Sequence, residues 1–363
     1  MIKVCHVTSV HRAFDGRIFQ KECRSLSQKY KVYLIAPNVE DQVKDDVNVV
    51  GVSLPKSRLK RVLELRKVYK AALNIDATVY HFHDPELVPI ARKIKKKGKT
   101  VIFDSHEDIP SDILQKKYLP LILRRIISFF YSKYEKKTFK ELDAIISVTP
   151  SIVNRLKTYN PMTFQVTNYP IYKEVSVSEY RGNYVCFTGA ISSTWLIDTL
   201  IESVDDIDTK IVLAGPVSNV FKEEISNLKS WKKVDYKGFV DSSTVASIQQ
   251  NAYAGIALLK YGDLYGGKMG TLGNTKLFEY MMNGTPVIAT DFVLWKDIVD
   301  KYQCGICVNP YDKNSIAEAI SYLRNNPELA KKMGENGQKA VREQYNWKEQ
   351  EKILFDVYDK ILR

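Results

Sequence analysis

Nothing in the 363-residue sequence approaches the roughly 20 consecutive apolar residues that a membrane-spanning helix needs, so no transmembrane helix is expected. Cysteine is sparse: the five thiols are odd in number, scattered and mostly in apolar surroundings, as at Cys5 and Cys186. That argues against a disulfide framework and for reduced thiols in a cytoplasmic compartment. Cys304-Gly305-Ile306-Cys307 has redox spacing, but it falls on an apparent strand rather than a strand-to-helix turn, so core packing is expected of it. The opening Met1-Ile2-Lys3-Val4-Cys5-His6-Val7 is too short an apolar run for a signal peptide and reads as a buried strand. Also missing are the glycine fingerprint of dinucleotide enzymes, a Glu-flanked His pair at helical spacing and any Cys–His set. No metal centre is therefore expected. Short-period repeats, low-complexity tracts and recognised nucleic-acid modules are absent too, so nucleic acid is not an expected partner.

What is present is an ordinary globular composition, 45% hydrophobic and 26% charged, long enough for two domains of about 100–200 residues each. The net charge of +12 is unevenly spread. Residues 1–175 carry 32 Lys and Arg against 18 Asp and Glu, a net of +14; residues 176–363 carry 22 against 24, a net of −2. A basic half implies an anionic partner, either an anionic membrane or a phosphorylated substrate once nucleic acid is set aside.

Apolar runs rich in Val and Ile alternate with segments of helical period. Ile2–Val7, Val32–Ala36, Val79–Phe82, Val101–Asp104 and Ala144–Val148 read as strands of the first half. Tyr184–Thr188, Lys210–Ala214, Val234–Tyr236, Gly255–Leu259, Val287–Ala289 and Gly305–Val308 read as strands of the second. Helices are expected at Gly16–Tyr30, Leu59–Ala72, Asp198–Val204, Asn274–Met282 and Ser315–Arg324. Such alternation, with continuously apolar strands, predicts an α/β fold of two doubly wound parallel sheets joined near Asn168-Tyr169-Pro170. Ligands of such sheets sit beyond the carboxyl ends of the strands, so the polar residues of those loops are the candidates for chemistry.

The first such loop, Thr8-Ser9-Val10-His11-Arg12-Ala13-Phe14-Asp15-Gly16-Arg17, leads into a helix whose N-terminus offers amide donors to an anion. A tight turn with ordinary capping is the competing reading. His81-Phe82-His83-Asp84-Pro85-Glu86 and Asp104-Ser105-His106-Glu107-Asp108 follow strands directly and set histidines beside acids, a pairing suited to hydrogen bonding near neutral pH. In the second half, five glycines between Gly262 and Gly273 precede Asn274-Thr275-Lys276-Leu277-Phe278-Glu279. Asn274 is a plausible N-cap, the amides at this helix start can hold a diphosphate with Lys276 adding charge, and Glu279 can accept from ribose hydroxyls. A glycine loop with a solvated Lys and Glu is the alternative.

Taken in order, these motifs resemble the family-4 retaining glycosyltransferases of the GT-B fold. The resemblance is carried by Asn274-Thr275-Lys276-Leu277-Phe278-Glu279-Tyr280-Met281 with Gly284-Thr285-Pro286-Val287-Ile288-Ala289-Thr290-Asp291. Phe14-Asp15-Gly16-Arg17-Ile18-Phe19, Phe82-His83-Asp84-Pro85-Glu86-Leu87, Phe103-Asp104-Ser105-His106-Glu107, Gly189-Ala190 and Tyr236-Lys237-Gly238-Phe239-Val240 further resemble a subgroup active in bacterial surface-polysaccharide synthesis. The resemblance implies two Rossmann-like domains facing across a cleft. Residues 1–170 would bind the acceptor and residues 171–347 the sugar nucleotide, with a final helix at about 348–363 packing back on the first domain. Glu279 would bind the donor ribose and Lys276 the diphosphate, with Asn274, Thr275, Gly189 and Lys268 beside them, while Phe239 and Val240 would frame the nucleobase. His106, Asp15 and Gly16 would be catalytic, and Arg17, His83, Asp84 and Glu107 would meet a lipid-linked or oligosaccharide acceptor. The implied donor is a UDP-sugar, with a GDP-sugar second, and no cofactor or metal is required. Two rivals stay open on the same fold: a sugar-nucleotide 2-epimerase and a non-catalytic partner of a glycosyltransferase complex.

The sequence departs from the family pattern twice. Thr271 stands eight positions before Glu279, where members often carry an acid, and Ile191-Ser192-Ser193-Thr194-Trp195 lacks the usual cations after the first strand of the second domain. Separately, the stretch from Lys116 to Tyr131 mixes cations with a broad apolar face, and Lys56–Lys70 and Arg92–Lys99 add further positive charge. Two readings compete for it: peripheral docking on the anionic inner face of the cell membrane, or a core helix with its apolar side on the sheet.

Overall fold

The computed structural model describes residues 1–106, 108–116, 118–177, 182–262 and 266–363. The chain divides into two compact units, one made of Met1–Asn168 with Trp347–Arg363 and the other of Tyr169–Asn346. No helix among the described residues is long and apolar enough to cross a membrane.

In the N-terminal unit eight strands form one sheet: β1 (Lys3–Val7), β2 (Lys31–Pro37), β3 (Gln42–Lys44), β4 (Val47–Val52), β5 (Val79–Phe82), β6 (Thr100–Ser105), β7 (Ala144–Ser147) and β8 (Thr163–Gln165). Their order is β3-β4-β2-β1-β5-β6-β7-β8. All neighbours are parallel except β3 and β4. Alternate residues of each strand feed opposite cores: Phe82, Phe103 and Ile145 pack on one face, and Leu34, Ile102 and Ile146 on the other. Burial on both faces is why these strands read as unbroken apolar runs. Chain order reverses between β1 and β5, where His6 lies opposite His81. Such a reversal opens the crevice in which open α/β sheets bind ligands.

The periodicity did not reveal β3 and β4. They are joined by Asp45 and Asp46, both at positive φ (48° and 59°), which is the two-residue hairpin geometry usually supplied by Asn-Gly or Asp-Gly. The helix expected at Gly16–Tyr30 begins at Ile18, and its first six residues, Ile18–Cys23, are π-helical before an α-helical turn at Arg24–Ser27. The final helix, Trp347–Ile361, belongs to this unit. Trp347 Nε1 donates to Ser25 Oγ at 2.9 Å, and Gln350 Oε1 accepts from the Thr167 amide at 2.7 Å.

The helix Leu121–Phe139 is inside out. Its buried residues are Ser128, Glu135, Thr138 and Phe139, whereas Ile122, Ile126, Phe129 and Phe130 point to solvent, Ile122 with 73% of its surface exposed. This corrects the core-helix reading. Glu135 forms a buried ion pair with Arg155, and that polar side, not the apolar one, meets the body of the unit.

The C-terminal unit is a six-stranded, wholly parallel sheet: β9 (Tyr184–Thr188), β10 (Lys210–Ala214), β11 (Val234–Gly238), β12 (Ala254–Ala257), β13 (Val287–Thr290) and β14 (Gly305–Val308). The order β11-β10-β9-β12-β13-β14 places its reversal between β9 and β12. Cys304 and Cys307 are free thiols at β14.

Candidate active site

In the N-terminal unit the carboxyl ends of β1, β5 and β6 gather all five histidines of the chain. Their rings follow one another: His6 and His81 have centroids 4.6 Å apart, His81 and His83 4.7 Å, His83 and His106 5.7 Å, and His106 and His11 5.6 Å. His83, Asp84, His106 and His11 line a cavity of about 220 Å³ together with Val10, Pro85, Phe103, Ser105 and Ile109.

Asp84 fixes the first loop over this cavity. Its Oδ2 accepts from Thr8 Oγ1 at 2.7 Å and from the Ser9 and Val10 amides at 2.6 and 3.2 Å, while His11 Nε2 lies 3.5 Å from Oδ1. The Ser9 hydroxyl donates to Glu86, which in turn pairs with Arg61. Asp15 Oδ1 accepts from the Arg17 and Ile18 amides, closing the turn at the start of the helix. Burial works against ionisation of Asp15, but the hydrogen bond to His11 and these two amides outweigh it and hold its pKa below the ordinary value. The same hydrogen bond, against the opposing cost of burial, raises the pKa of His11.

Beneath the cavity floor Arg17 lies between two carboxyls. Its Nε and Nη2 sit 3.0 and 2.9 Å from Asp104 Oδ2, its Nε is also 3.0 Å from Glu22, and Nη1 donates to the Val166 carbonyl at 2.9 Å. Burial pushes the Asp104 pKa up, yet Arg17, His106 and His83 prevail and hold it well below the usual carboxylate range. Glu22 goes the other way: burial raises its pKa despite Arg17. One cation thus serves two carboxyls. His106 Nδ1 faces Asp104 Oδ1 at 3.6 Å, and burial pushes the His106 pKa down to about 3, leaving a neutral imidazole on the cavity wall.

The C-terminal unit offers a second cluster, built mainly from backbone. At the ends of β9, β10 and β11 stand Gly189, Gly215 and Gly238, all at positive φ. The Gly189 amide donates to the Ala214 carbonyl and the Gly215 amide to that of Gly238, both at 2.7 Å. A Cβ on Gly215 would lie 2.0 Å from the Gly189 carbonyl oxygen, and one on Gly189 would strike Lys276 Nζ at 1.9 Å. Lys276 opens the helix Lys276–Met282, donates to the Thr188 carbonyl, and sits 4.8 and 5.1 Å from the ring centroids of Phe187 and Trp195. Burial lowers its pKa. Glu279, one turn along the same helix, accepts from Thr275 Oγ1 at 2.6 Å. A backbone platform with an ammonium and a carboxylate at its edge can take a phosphate-bearing ligand with hydroxyls.

Two family models divide the chain between them: Glycosyltransferase Family 4 matches residues 17–166, and Glycosyl transferases group 1 matches residues 169–340. The chain is a GT-B glycosyltransferase. It is 20% identical to an uncharacterized glycosyltransferase of Methanocaldococcus jannaschii, across 93% of this chain and 92% of that protein. Sucrose-phosphate synthase from Thermosynechococcus elongatus superposes with a TM-score of 0.78 at 14% identity, over 100% of this chain and 99% of that one. HepE from Anabaena, solved with UDP-glucose, superposes with a TM-score of 0.69 at 11% identity, over 99% and 100%.

Of the residues singled out in this glycosyltransferase, His106, His83 and Asp84 meet at the N-terminal cavity, with Asp15 held near it through His11. Gly16 is exposed with no atom within 4 Å of a hypothetical Cβ, so its neighbourhood is open. Arg17 is buried under the cavity rather than on its wall, because two carboxyls claim its guanidinium. Glu107 lies outside the described residues. Asn274 caps from one position further out than expected: Thr275 flanks the helix, and Asn274 Oδ1 accepts from the Lys276 amide at 3.1 Å. Lys268 is exposed, 5.3 Å from the centroid of Tyr261, and Phe239 is 85% exposed, whereas Val240 packs on the core. The Thr271 carbonyl accepts from Trp295 Nε1 at 2.7 Å and its Oγ1 from the Gly273 amide at 3.0 Å. Sequence reasoning missed Glu22 and Gly215. Glu22 carried no signal inside an amphipathic stretch, while Gly215 had one in Ala214-Gly215-Pro216 directly after a strand.

Proposed function

We propose that the protein transfers a sugar from a nucleotide-sugar donor, a UDP-sugar in the first place and a GDP-sugar in the second, to a lipid-linked or oligosaccharide acceptor with retention of configuration. The observation that carries this reading is Lys276 and Glu279 on one helix face against the glycine platform of β9 and β10. Lys276 and the amides at its helix start would stabilise charge on the departing diphosphate, the dominant contribution when the acceptor attacks from the same face. Glu279 would hold the ribose, Gly189 would let the phosphates approach, and Phe239 with Val240 would frame the base. His106 would contact the transferred sugar as a neutral hydrogen-bonding group, with Asp15, Gly16, His83 and Asp84 around the acceptor. The UDP-glucose held by HepE, a protein of the same fold, supports uridine as the first choice.

Calorimetric titration with UDP-, GDP-, ADP- and CMP-sugars is the test, with Glu279→Ala as control. One nucleotide class should bind and the variant should weaken it. No binding of any donor would favour the non-catalytic alternative, with Thr271 and Thr194 as its main support. Donor turnover without acceptor would favour the 2-epimerase.

The inside-out helix supports a second element of this reading, peripheral docking on an anionic cytoplasmic leaflet. Leu121, Ile122, Phe129 and Phe130 are exposed beside Arg125, Lys133, Lys136 and Lys137, in a unit carrying 35 Lys and Arg against 21 Asp and Glu. Each cation near such a surface contributes about 1 kcal/mol. Flotation with anionic liposomes at low salt should carry the protein upward, and Phe129→Glu with Phe130→Glu should abolish it; absence of binding by the unaltered chain would sink this element.

A further inference from the structure

Of the most buried polar cluster in the N-terminal unit, the cavity uses His83 alone. His6, Glu22, His81 and His83 are fully enclosed, and their donor atoms lie within 4.8 Å of one another. Glu22 Oε2 and His81 Nε2 have no hydrogen-bond partner among the described residues, whereas Glu22 Oε1 faces Arg17 Nε at 3.0 Å. Buried polar atoms without partners are costly and call for an explanation.

We propose that His6, His81, His83 and Glu22 form a closed, four-ligand site for a divalent transition metal ion of the zinc class. The geometry supports this before any ion enters. His6 Nδ1 and His83 Nε2 share a hydrogen bond of 2.9 Å, and Glu22 Oε2 stands 3.8 and 3.9 Å from them. A tetrahedral zinc with bonds of about 2.0–2.1 Å sets its ligand atoms about 3.3 Å apart, between those values. On binding, the two imidazoles would give up their mutual hydrogen bond and turn both nitrogens toward the ion, parting them by a few tenths of an ångström, and Glu22 would close in by a similar amount.

The outward nitrogens carry the argument further. Metal-bound histidines as a rule direct the other ring nitrogen at an oxygen, which fixes tautomer and orientation. Here His81 Nδ1 lies 3.0 Å from Tyr358 Oη, His6 Nε2 lies 3.4 Å from the same oxygen, and His83 Nδ1 faces Asp104 Oδ2 at 3.6 Å. All three imidazoles therefore have an oxygen behind them and an inward nitrogen within 4.8 Å of the other donor atoms. Ring hydrogens would occupy the outward nitrogens, with Tyr358 and Asp104 accepting. Arg17 faces the other oxygen of Glu22, so it does not occupy the position of the ion. The widened π-helical turn, in which the Glu22 amide donates to the Arg17 carbonyl, is what brings this carboxylate inward.

With four protein ligands and no open position, such a site is structural rather than catalytic. It would clamp β1, β5 and the π-helical turn together, with the C-terminal helix bearing Tyr358 as backing. Through His83 and Asp104 it would set the floor on which His106 rests.

The test uses the full chain purified without a polyhistidine tag. Metal content by plasma mass spectrometry, measured as purified and after refolding from guanidinium with zinc or cobalt(II), should reach one ion per chain. The cobalt form should show the intense visible bands of a tetrahedral site. Glu22→Gln and His81→Asn, each checked for folding by circular dichroism, should hold zinc against a competing chelator at least about tenfold less well. Zinc-edge X-ray absorption on the unaltered chain, fitted for imidazole scattering, gives an answer that does not depend on the variants folding. Unaltered protein that holds neither ion after refolding would overturn the site and leave a hydrogen-bonded polar cluster. So would an ion retained in full by both folded variants.

Discussion

The two units solve the same problem with different materials. The N-terminal unit contains every histidine of the chain and buries Arg17, Glu22, Asp104 and the rings of His6 and His81 behind a cavity that His83 helps to line. The C-terminal unit has no histidine, and its platform consists of glycine backbone, strand-end carbonyls, one lysine and one glutamate. The first arrangement stores desolvated charge, so each member depends on its neighbours. The second depends on backbones and a lysine packed too closely for a side chain, so a single methyl group in the wrong place does the damage. Charge clusters tie stability to electrostatics, and backbone platforms tie it to steric fit.

The sharpest way to break the comparison is to remove the cation of the buried cluster. Arg17→Met leaves Asp104 and Glu22 enclosed without their partner and should destabilise the N-terminal unit by about 3–5 kcal/mol, read as a shift in the denaturation midpoint. A loss under 1 kcal/mol would mean that the cluster is not held by charge. Next comes Lys276→Ala, which should lower kcat by about 10²–10³-fold through lost stabilisation of the leaving diphosphate, with the fold intact. A change confined to KM would move Lys276 from the chemistry to binding alone.

Gly215→Ala probes the steric half. Its φ of 142° and the collision with the Gly189 carbonyl should cost about 1–3 kcal/mol and weaken donor binding, while the N-terminal cavity stays unchanged by amide hydrogen exchange. The smallest effect concerns His11 and Asp15. The raised pKa of His11 means that its contribution to stability is full below its ordinary value near 6.5 and fades as pH rises through the raised one. The depressed pKa of Asp15 means that its contribution holds above the ordinary carboxylate range and fades as pH falls through the depressed value. Asp15→Asn should therefore shift the imidazole titration of His11, followed by NMR, downward toward 6.5. An unmoved midpoint would separate the pair.

How legible each region was in the sequence follows from the same contrast. The parallel strands were plain because both faces of a buried strand must be apolar, and all eleven runs, from Ile2–Val7 to Gly305–Val308, coincide with strands to within a residue or two. β3 and β4 were hidden by a turn of two aspartates that carries no glycine, and β8 by its three-residue length. Asn274 to Glu279 could be read as the start of a helix after a glycine-rich loop because the features that matter there are consecutive. The inside-out helix could not be read correctly, since an amphipathic stripe says that two faces differ and not which of them meets the protein.

By itself, then, the sequence determined two α/β units, the loops in which chemistry gathers, the skew of positive charge and the motif order of the family. Those depend on local periodicity and on residues adjacent in the chain. Only the tertiary structure decided that His6, Glu22, His81 and His83 converge, that Arg17 turns inward, and that Ile122 and Phe130 face solvent. Those are long-range matters: β1 pairs with β5 across more than seventy residues, and burial of a polar group is settled by whichever partners the topology delivers.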